Sequence, residues 1–512
     1  MNIAFDPWIP VVTVSGTREL VSLCSALTER DKYADLAVRP HERISLMRLF
    51  TCSAHAALDG PKDYDEWSTA REKLPKAALD YLTKWKDAFE LFHPSKPWLQ
   101  VSGLSNDKWT SVSKLNFALA AGNNSTLFDH EGMDKNRHTP LTDTILAMLT
   151  FQCFSTGGLI AQPLWTGVLL EKSSSDAPCI PQSMIHALLR ADTLYESIFL
   201  NLPTFEDLKL LYPNYNIGRP VWELVPISLT DLPNVENATT AYLGRLVPMA
   251  RLIRIDPPGE QMFLGNGFKY PRFPEFFPEQ TATVVVKTKG KQEGQSLLSA
   301  EPTKALWRML AAMIVKRRVG APGGPISLNA LQEVETCDLI VTALLRKKAS
   351  IIDAVESVFH IPATLTTTAG AAIYEQEVES AEHWARRLGR AIEDYRRELD
   401  GGWEGRLKGA GIKKKDLQKK LHEVATTHYW TSVEQKLALL MKHIEAIGTD
   451  DAIPTRDAWR KMLKVMTCDA YRLVCHQSTT RQIKAFAKGW ERLIIKKSES
   501  KMGNTETKKE NS

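Results

Sequence analysis

The residues best suited to chemistry in this chain are cations set at regular intervals. Arg481, Lys484, Lys488, Arg492 and Lys496 follow one another at steps of 3, 4, 4 and 4. On a helix that spacing makes a gently spiralling basic stripe, with Ile483, Phe486, Trp490, Leu493 and Ile494 on the opposite side. Such a stripe neutralises phosphates and releases counterions, giving a sequence-independent, salt-sensitive grip on nucleic acid. A solvated face of a bundle helix has the same pattern. The cluster Lys413-Lys414-Lys415 with Lys419-Lys420 admits the same two readings. Arg346-Lys347-Lys348-Ala349-Ser350 lies between the apolar runs Leu339–Leu345 and Ile351-Ile352. It reads as the cationic tip of a hairpin, either pushed into a groove or simply a charged turn. Gly157-Gly158 follow an apolar helical pattern. Without a Cβ their backbone can approach a ligand closely, and a helix C-cap uses the same residue type.

The usual catalytic signatures are missing. The sequence has no GxxxxGK[ST] phosphate loop, no GxSxG elbow, no HExxH and no calcium loop. Its 12 histidines lie singly. A hydrolase or nuclease site would have to be assembled from dispersed residues such as His55, Asp59 and His138. The 7 cysteines form no CxxC pair, which argues against zinc ribbons, redox dithiols and a disulfide framework. Cys52-x-x-His55 is half of a metal site with nothing nearby to complete it. These absences favour a binding or scaffold protein.

The elements that would position these residues follow from composition and periodicity. At 512 residues, 43% hydrophobic and 24% charged, the chain is ordinary globular material of several domains rather than fibrous or disordered protein. No apolar run approaches the ~20 residues of a membrane span, and no basic segment opens the chain, so a soluble, cytoplasmic protein is expected. Residues 366–512 hold 28 Lys and Arg against 21 Asp and Glu, while the preceding part is slightly acidic. A basic last third on a near-neutral body suggests polyanion contact through that third. Strands are expected at Ile3–Phe5, Pro10–Val14, Glu19–Leu23, Val221–Val225, Leu252–Ile255 and Thr281–Val286. Helices are expected over Arg43–Leu58, Tyr64–Phe92 with a break at Pro75, Thr142–Phe154 and Pro302–Arg318. Residues 121–138 read as a long exposed loop. Later, Val378, Ala381, Ala385, Leu388, Ile392, Tyr395 and Leu399 alternate steps of 3 and 4. Val433, Leu437, Leu440, Ile444 and Ile447 repeat the pattern, and two more helices cover Arg456–Val474 and Thr479–Ile495. The expected fold is α+β: an irregular mixed α/β domain over 1–365, an up-and-down four-helix bundle over 366–497 and a disordered tail over 498–512.

Taken together, the chain resembles the CasA family, the large subunit of the type I-E CRISPR Cascade complex of antiviral defence. The resemblance rests on the opener Phe5-Asp6-Pro7-Trp8-Ile9-Pro10-Val11, on Glu19-Leu20-Val21-Ser22-Leu23, on Lys408-Gly409-Ala410-Gly411 and on His428-Tyr429-Trp430. The order of parts agrees as well. It implies a non-catalytic subunit that reads the protospacer-adjacent motif of double-stranded DNA and wedges the duplex open to start an R-loop. Guide RNA then pairs with the opened strand, and a separate helicase-nuclease is recruited. The implied partners are target DNA, the guide RNA, and the backbone and small subunits of the complex. Residue by residue, the wedge falls on Lys347, Lys348, Ala349 and Ser350. Better-known members have Asn-Gln-Ala-Ser there, so the two lysines depart from the pattern. The glycine loop corresponds to Gly157 and Gly158, and the lysine finger to Lys269 within Gly267-Phe268-Lys269-Tyr270-Pro271. Asn123, Asn124, Ser125, Thr126, Leu127 and Phe128 resemble the segment docked near the guide RNA 5′ end. Some members carry a four-cysteine zinc site. This sequence lacks those cysteines, so no metal or other cofactor is expected. The alternatives from other classes are the dispersed hydrolase or nuclease and a scaffold that binds protein alone.

Overall fold

The computed structural model describes residues 1–117, 138–211, 216–289, 292–331, 336–399 and 414–494. It divides into two compact units, Met1–Thr366 and Thr367–Ser512. The α+β class read from the sequence holds.

In the first unit, β1 (Ile9–Thr13) and β2 (Arg18–Val21) form a hairpin turned at Ser15-Gly16, and β3 (Tyr33–Leu36) pairs with the other side of β1. Ile3–Phe5 is a turn rather than a strand. The Asn2 carbonyl accepts from the Phe5 and Asp6 amides, and the Ile3 carbonyl accepts from the Trp8 indole at 2.8 Å. Helix α1 (Pro40–Leu58) is buried on all sides from His41 to Ala56. It therefore carries its polar groups inward and must pair them. Arg48 and Arg245 share the Glu279 carboxylate, at 2.6 and 2.7 Å, and direct their remaining donors to the carbonyls of Leu246, Arg245, Thr239 and Pro271. Burial opposes ionisation of Glu279, but the two guanidiniums outweigh it and hold its carboxyl below the usual range.

Helix α2 (Tyr64–Lys84) runs straight through Pro75, where a break was expected. A proline removes the hydrogen bond to the carbonyl four residues back, here Arg71. The buried Tyr195 hydroxyl donates to that carbonyl at 2.5 Å, so the orphaned acceptor is satisfied from outside the helix. Two further segments depart from expectation. Val221–Val225 is a turn. Over Pro302–Arg318 only the short 3-10 turn Leu306–Met309 and Leu310–Met313 are helical. Gly323 and Gly324 fold back against that segment, and a Cβ on Gly324 would lie 2.0 Å from the Met313 carbonyl. The close return peels the chain out of helical geometry.

The sheet that matters for the site contains β8 (Ile185–Arg190), β11 (Cys337–Lys347) and β12 (Ser350–Ile361), paired in that order. Leu339–Leu345 are all buried, and α1 packs on β11. Between α3 (Leu141–Phe154) and β8 the chain makes an excursion. It leaves through β4 (Gly158–Leu159), turns back through the hairpin β5 (Leu164–Trp165) and β6 (Val168–Leu169), and returns through β7 (Ser173–Ser174). Nearby, β9 (Arg251–Ile255) pairs with β10 (Gln261–Asn266).

The second unit is helical: α4 (Thr368–Leu399), α5 (Lys414–Glu434), α6 (Leu437–Glu445), α7 (Ala452–Val474) and α8 (Thr480–Ile494). The series expected to be one helix around 433–447 is split at Gln435-Lys436, yet Val433, Leu440 and Ile444 stay buried across the break. Arg460 of α7 holds the buried Glu377 carboxylate of α4 at 2.5 Å. Gly489 lets α8 settle on α4, because a Cβ there would fall 2.1 Å from the Tyr471 hydroxyl and 2.4 Å from the Ala391 carbonyl. The expected tail beyond 497 lies outside the described residues.

Tyr195→Phe should lower stability by about 1 kcal/mol, because it removes the donor that satisfies the Arg71 carbonyl. Pro75→Ala should recover more stability in the Tyr195→Phe background than in the wild type, since it restores an in-helix donor to Arg71. Urea midpoints of the four proteins test this. Equal effects of Pro75→Ala in both backgrounds would contradict the compensation.

Candidate nucleic-acid interface

The candidate surface begins where α3 stops. Its cap, Ser155, is extended, so neither following glycine is a left-handed helix cap. Gly157 is needed for another reason. Its missing Cβ would sit 2.8 Å from the Ser174 carbonyl oxygen and 3.1 Å from the Asp176 amide nitrogen. The close approach at Gly157 is thus to the returning arm of the chain. Gly158 is different: a Cβ there would meet nothing within 4 Å, so its backbone faces open space.

The tip of the β11–β12 hairpin is a two-residue turn. Lys347 pairs with Ser350, and Lys348 takes a left-handed φ of 58° at the first central position. Lys347, Lys348, Ala349 and Ser350 are all exposed. The turn is tied to the glycine loop directly, since the Thr156 hydroxyl donates to the Ala349 carbonyl at 2.8 Å.

A polar network beneath fixes this meeting. Asp176 accepts from the Gly157 amide at 2.6 Å and pairs with Arg346, just before the lysines, at 2.7 Å. Arg272 approaches its second oxygen at 3.4 Å. Partial burial pushes the Asp176 carboxyl up, but Arg346, the Gly157 amide and Arg272 together bring it below the ordinary aspartate value. The Arg346 amide donates to the Ser183 hydroxyl at 3.0 Å. Arg251, fully buried on β9, donates to the carbonyls of Thr156 at 2.8 Å and Ser175 at 3.0 Å. Burial lowers its pKa to about 10, so it is still charged at neutral pH.

Lys269 is exposed and pairs with Glu171, beside the returning arm, at 3.3 Å. Its neighbour Phe268 packs edge-on against Trp165 of the excursion. The structure therefore joins the turn at Lys347–Ser350 to Thr156, the residue before the glycines, and attaches Lys269 through the excursion. The sequence reading missed Thr156, Asp176 and Arg251. No local pattern marks them, because their partners lie 19 to 193 residues away.

The other sequence candidates fare differently. Asn123, Asn124, Ser125, Thr126, Leu127 and Phe128 lie outside the described residues, as do Lys413, Lys496 and the side chains of Lys414, Lys415, Lys419 and Lys420. Arg481, Lys484, Lys488 and Arg492 are exposed along α8, but the stripe is not bare. Lys484 pairs with Glu398 at 2.7 Å, Arg492 with Asp394, and Lys488 with Glu491 at 3.6 Å. The apolar side also needs correction. Ile483 and Ile494 are 53% and 47% exposed, and the buried line is Ala485, Gly489 and Leu493. The dispersed trio does not assemble. His55 is buried between Phe205 and Tyr242 and bonds to the Gly60 carbonyl, with its pKa lowered by burial to about 4. Asp59 faces Arg219, and His138 pairs with Glu260 at 3.5 Å. Among the described residues no three His, Cys, Asp or Glu side chains are placed to hold a metal ion, and no helix is long and apolar enough to cross a membrane.

Fold and site together define an α+β protein whose first unit carries an exposed, internally braced lysine tip and whose second unit is helical. The family model described as CRISPR-associated protein Cse1 matches residues 2–470, and the chain belongs to that family. It is 26% identical over 518 residues to the CRISPR-associated protein CasA/Cse1 of Thermus thermophilus, covering 95% of both chains. Among solved structures, CasA of Thermus thermophilus aligns with a TM-score of 0.75 at 22% identity, over 96% of this chain and 98% of that one. Cse1 of Acidimicrobium ferrooxidans aligns with a TM-score of 0.75 at 18% identity, over 96% of each. A chain of a CRISPR RNA-guided surveillance complex aligns with a TM-score of 0.70 at 17% identity, over 97% of this chain and 99% of that one.

Because the folded pKa of Asp176 is depressed, its contribution is complete above the ordinary carboxylate range and is lost as pH falls through its own lower value. Asp176→Ala should speed hydrogen exchange at the Gly157 amide about tenfold at neutral pH, the equivalent of ~1.4 kcal/mol, and leave α3 amides unchanged. Wild type should lose the same protection only below the usual aspartate range, after correction for intrinsic exchange. Unaltered exchange at Gly157 in the variant would remove Asp176 from this role.

Proposed function

We propose that this chain is the non-catalytic DNA-reading large subunit of a type I-E RNA-guided surveillance complex. The observation that carries the proposal is the 2.8 Å bond from Thr156 to Ala349, which makes the glycine loop and the lysine turn one surface. Gly158 leaves open space where a side chain would stand, so a narrow groove can approach its backbone closely, although its carbonyl already accepts from the Ser174 hydroxyl. Minor-groove readout scarcely separates A·T from T·A or G·C from C·G, so several flanking motifs should be accepted. Lys347 and Lys348 stand at the apex of a stiff two-stranded lever whose base is buried. There they can enter the duplex beside the motif and hold the separated strands by their phosphates. Lys269 is a second cation for the same groove once Glu171 releases it.

The remaining duties follow the family. Guide RNA reads the sequence beyond the motif, partner subunits hold the guide, and a helicase-nuclease supplied in trans cuts. The stripe on α8 adds sequence-independent contact, weakened by the acidic partners it already has. We assign the chain no cofactor of its own and a place in the cytoplasm. The domain limits that fit this division are 1–365 for the DNA-reading body and 366–497 for the bundle.

In the assembled complex, Lys347→Ala/Lys348→Ala should open target duplex at least tenfold more slowly, as read by permanganate reactivity of unpaired thymines. Assembly and binding of a pre-opened target should be unaffected. Normal opening by the double variant would refute the wedge.

A further inference from the structure

Leu159, the residue after Gly158, is 84% exposed, the most exposed large apolar side chain among the described residues. Such exposure normally goes with a mobile loop. Here the backbone is pinned. Leu159 pairs with Ser173, the Ile160 amide donates to the Lys172 carbonyl at 2.9 Å, and the Ser174 hydroxyl donates to the Gly158 carbonyl at 3.1 Å. The strand is anchored in turn through Gly157 to Asp176. The fold thus holds the backbone of an exposed leucine in place beside the one glycine of the loop that has open space.

We propose that Leu159 is an apolar wedge that enters between two base pairs at the flanking motif, partly unstacking them before the lysine turn separates the strands. The proposal rests on the DNA-reading function above and adds a residue and a step to it. The choice of a duplex as occupant follows from charge. Exposed Lys172 lies across the β4–β7 ladder, and Lys347 and Lys348 are joined to this loop through Thr156, so cations flank the leucine. Phosphates flank a minor groove in the same way. Minor-groove proteins commonly drive a Leu, Ile, Phe or Met side chain into a base step, where the cost of unstacking is offset by apolar burial and by closer backbone contacts in the bent duplex. Pinning the backbone beforehand removes part of the ordering cost. Unstacking at the motif would also lower the barrier to the first base pair that the lysines must break.

The test uses the assembled complex and a target duplex carrying 2-aminopurine at successive positions of the flanking motif. Its target is mismatched to the guide, so no R-loop can form. Wild type should raise the fluorescence at one step within the motif. Leu159→Ala should abolish that rise and weaken duplex binding about tenfold while binding a pre-opened target normally, and Leu159→Met should retain the rise. A rise that survives Leu159→Ala, or a variant whose only defect is assembly with partner subunits, would overturn the wedge. Should wild type itself show no motif-dependent binding, the DNA-reading function fails and the wedge with it. Motif-dependent binding with no leucine effect removes the wedge alone.

Discussion

One carboxylate holds the candidate surface together. Asp176 accepts a hydrogen bond from the Gly157 amide, faces Arg346 at the neck of the lysine hairpin and is approached by Arg272. Two segments far apart in sequence, the loop after α3 and the turn between β11 and β12, are thereby fixed against each other. A partly buried acid is stabilising only when its partners are in place, and here the amide and two guanidiniums outweigh the cost of desolvation. Arg251 completes the arrangement from below by fastening Thr156 and Ser175. Above this neutralised base, Lys347 and Lys348 remain exposed, and Lys269 is engaged only by a surface carboxylate. Cations meet solvent, and the acids that could quench them lie mostly beneath.

The helical unit follows a different rule. Its stripe of arginine and lysine residues is laced to the acids of the neighbouring helix, Glu398 and Asp394. Exposed pairs of this kind contribute little to stability. They do mean that a polyanion must compete with carboxylates already present. In the proposed function this makes the stripe a supporting grip rather than a recognition surface.

Much of this was legible in the sequence where the signal is local. The a/d series in α4, the apolar run Leu339–Leu345 with its cationic tip, and the turn at Ser15-Gly16 depend on neighbours within a few residues, and they form as expected. The failures share a cause. Pro75 stays helical because a tyrosine 120 residues later supplies the missing donor. Pro302–Arg318 loses its helix because two glycines return across it. Gly157 was noticed, but its closest contact is the returning chain rather than a ligand. Asp176 and Arg251 were invisible, since nothing about a serine-rich turn or a short strand announces a partner held by tertiary packing. Ile483 and Ile494 belong to the apolar side of α8 by pattern, but a pattern gives a period and not the width of the contact. The small contact line through Gly489 leaves both outside.

The central claim is that loop and turn meet the same stretch of duplex. The direct measurement places an iron chelate on a cysteine introduced at Gly158 or at Lys348 in the assembled complex and maps the strand cuts it makes in bound target DNA. Cuts from the two positions should centre within about half a helical turn, ~5 base pairs, of each other at the edge of the flanking motif. Cuts separated by a full turn or more, or cutting from only one position, would contradict the account.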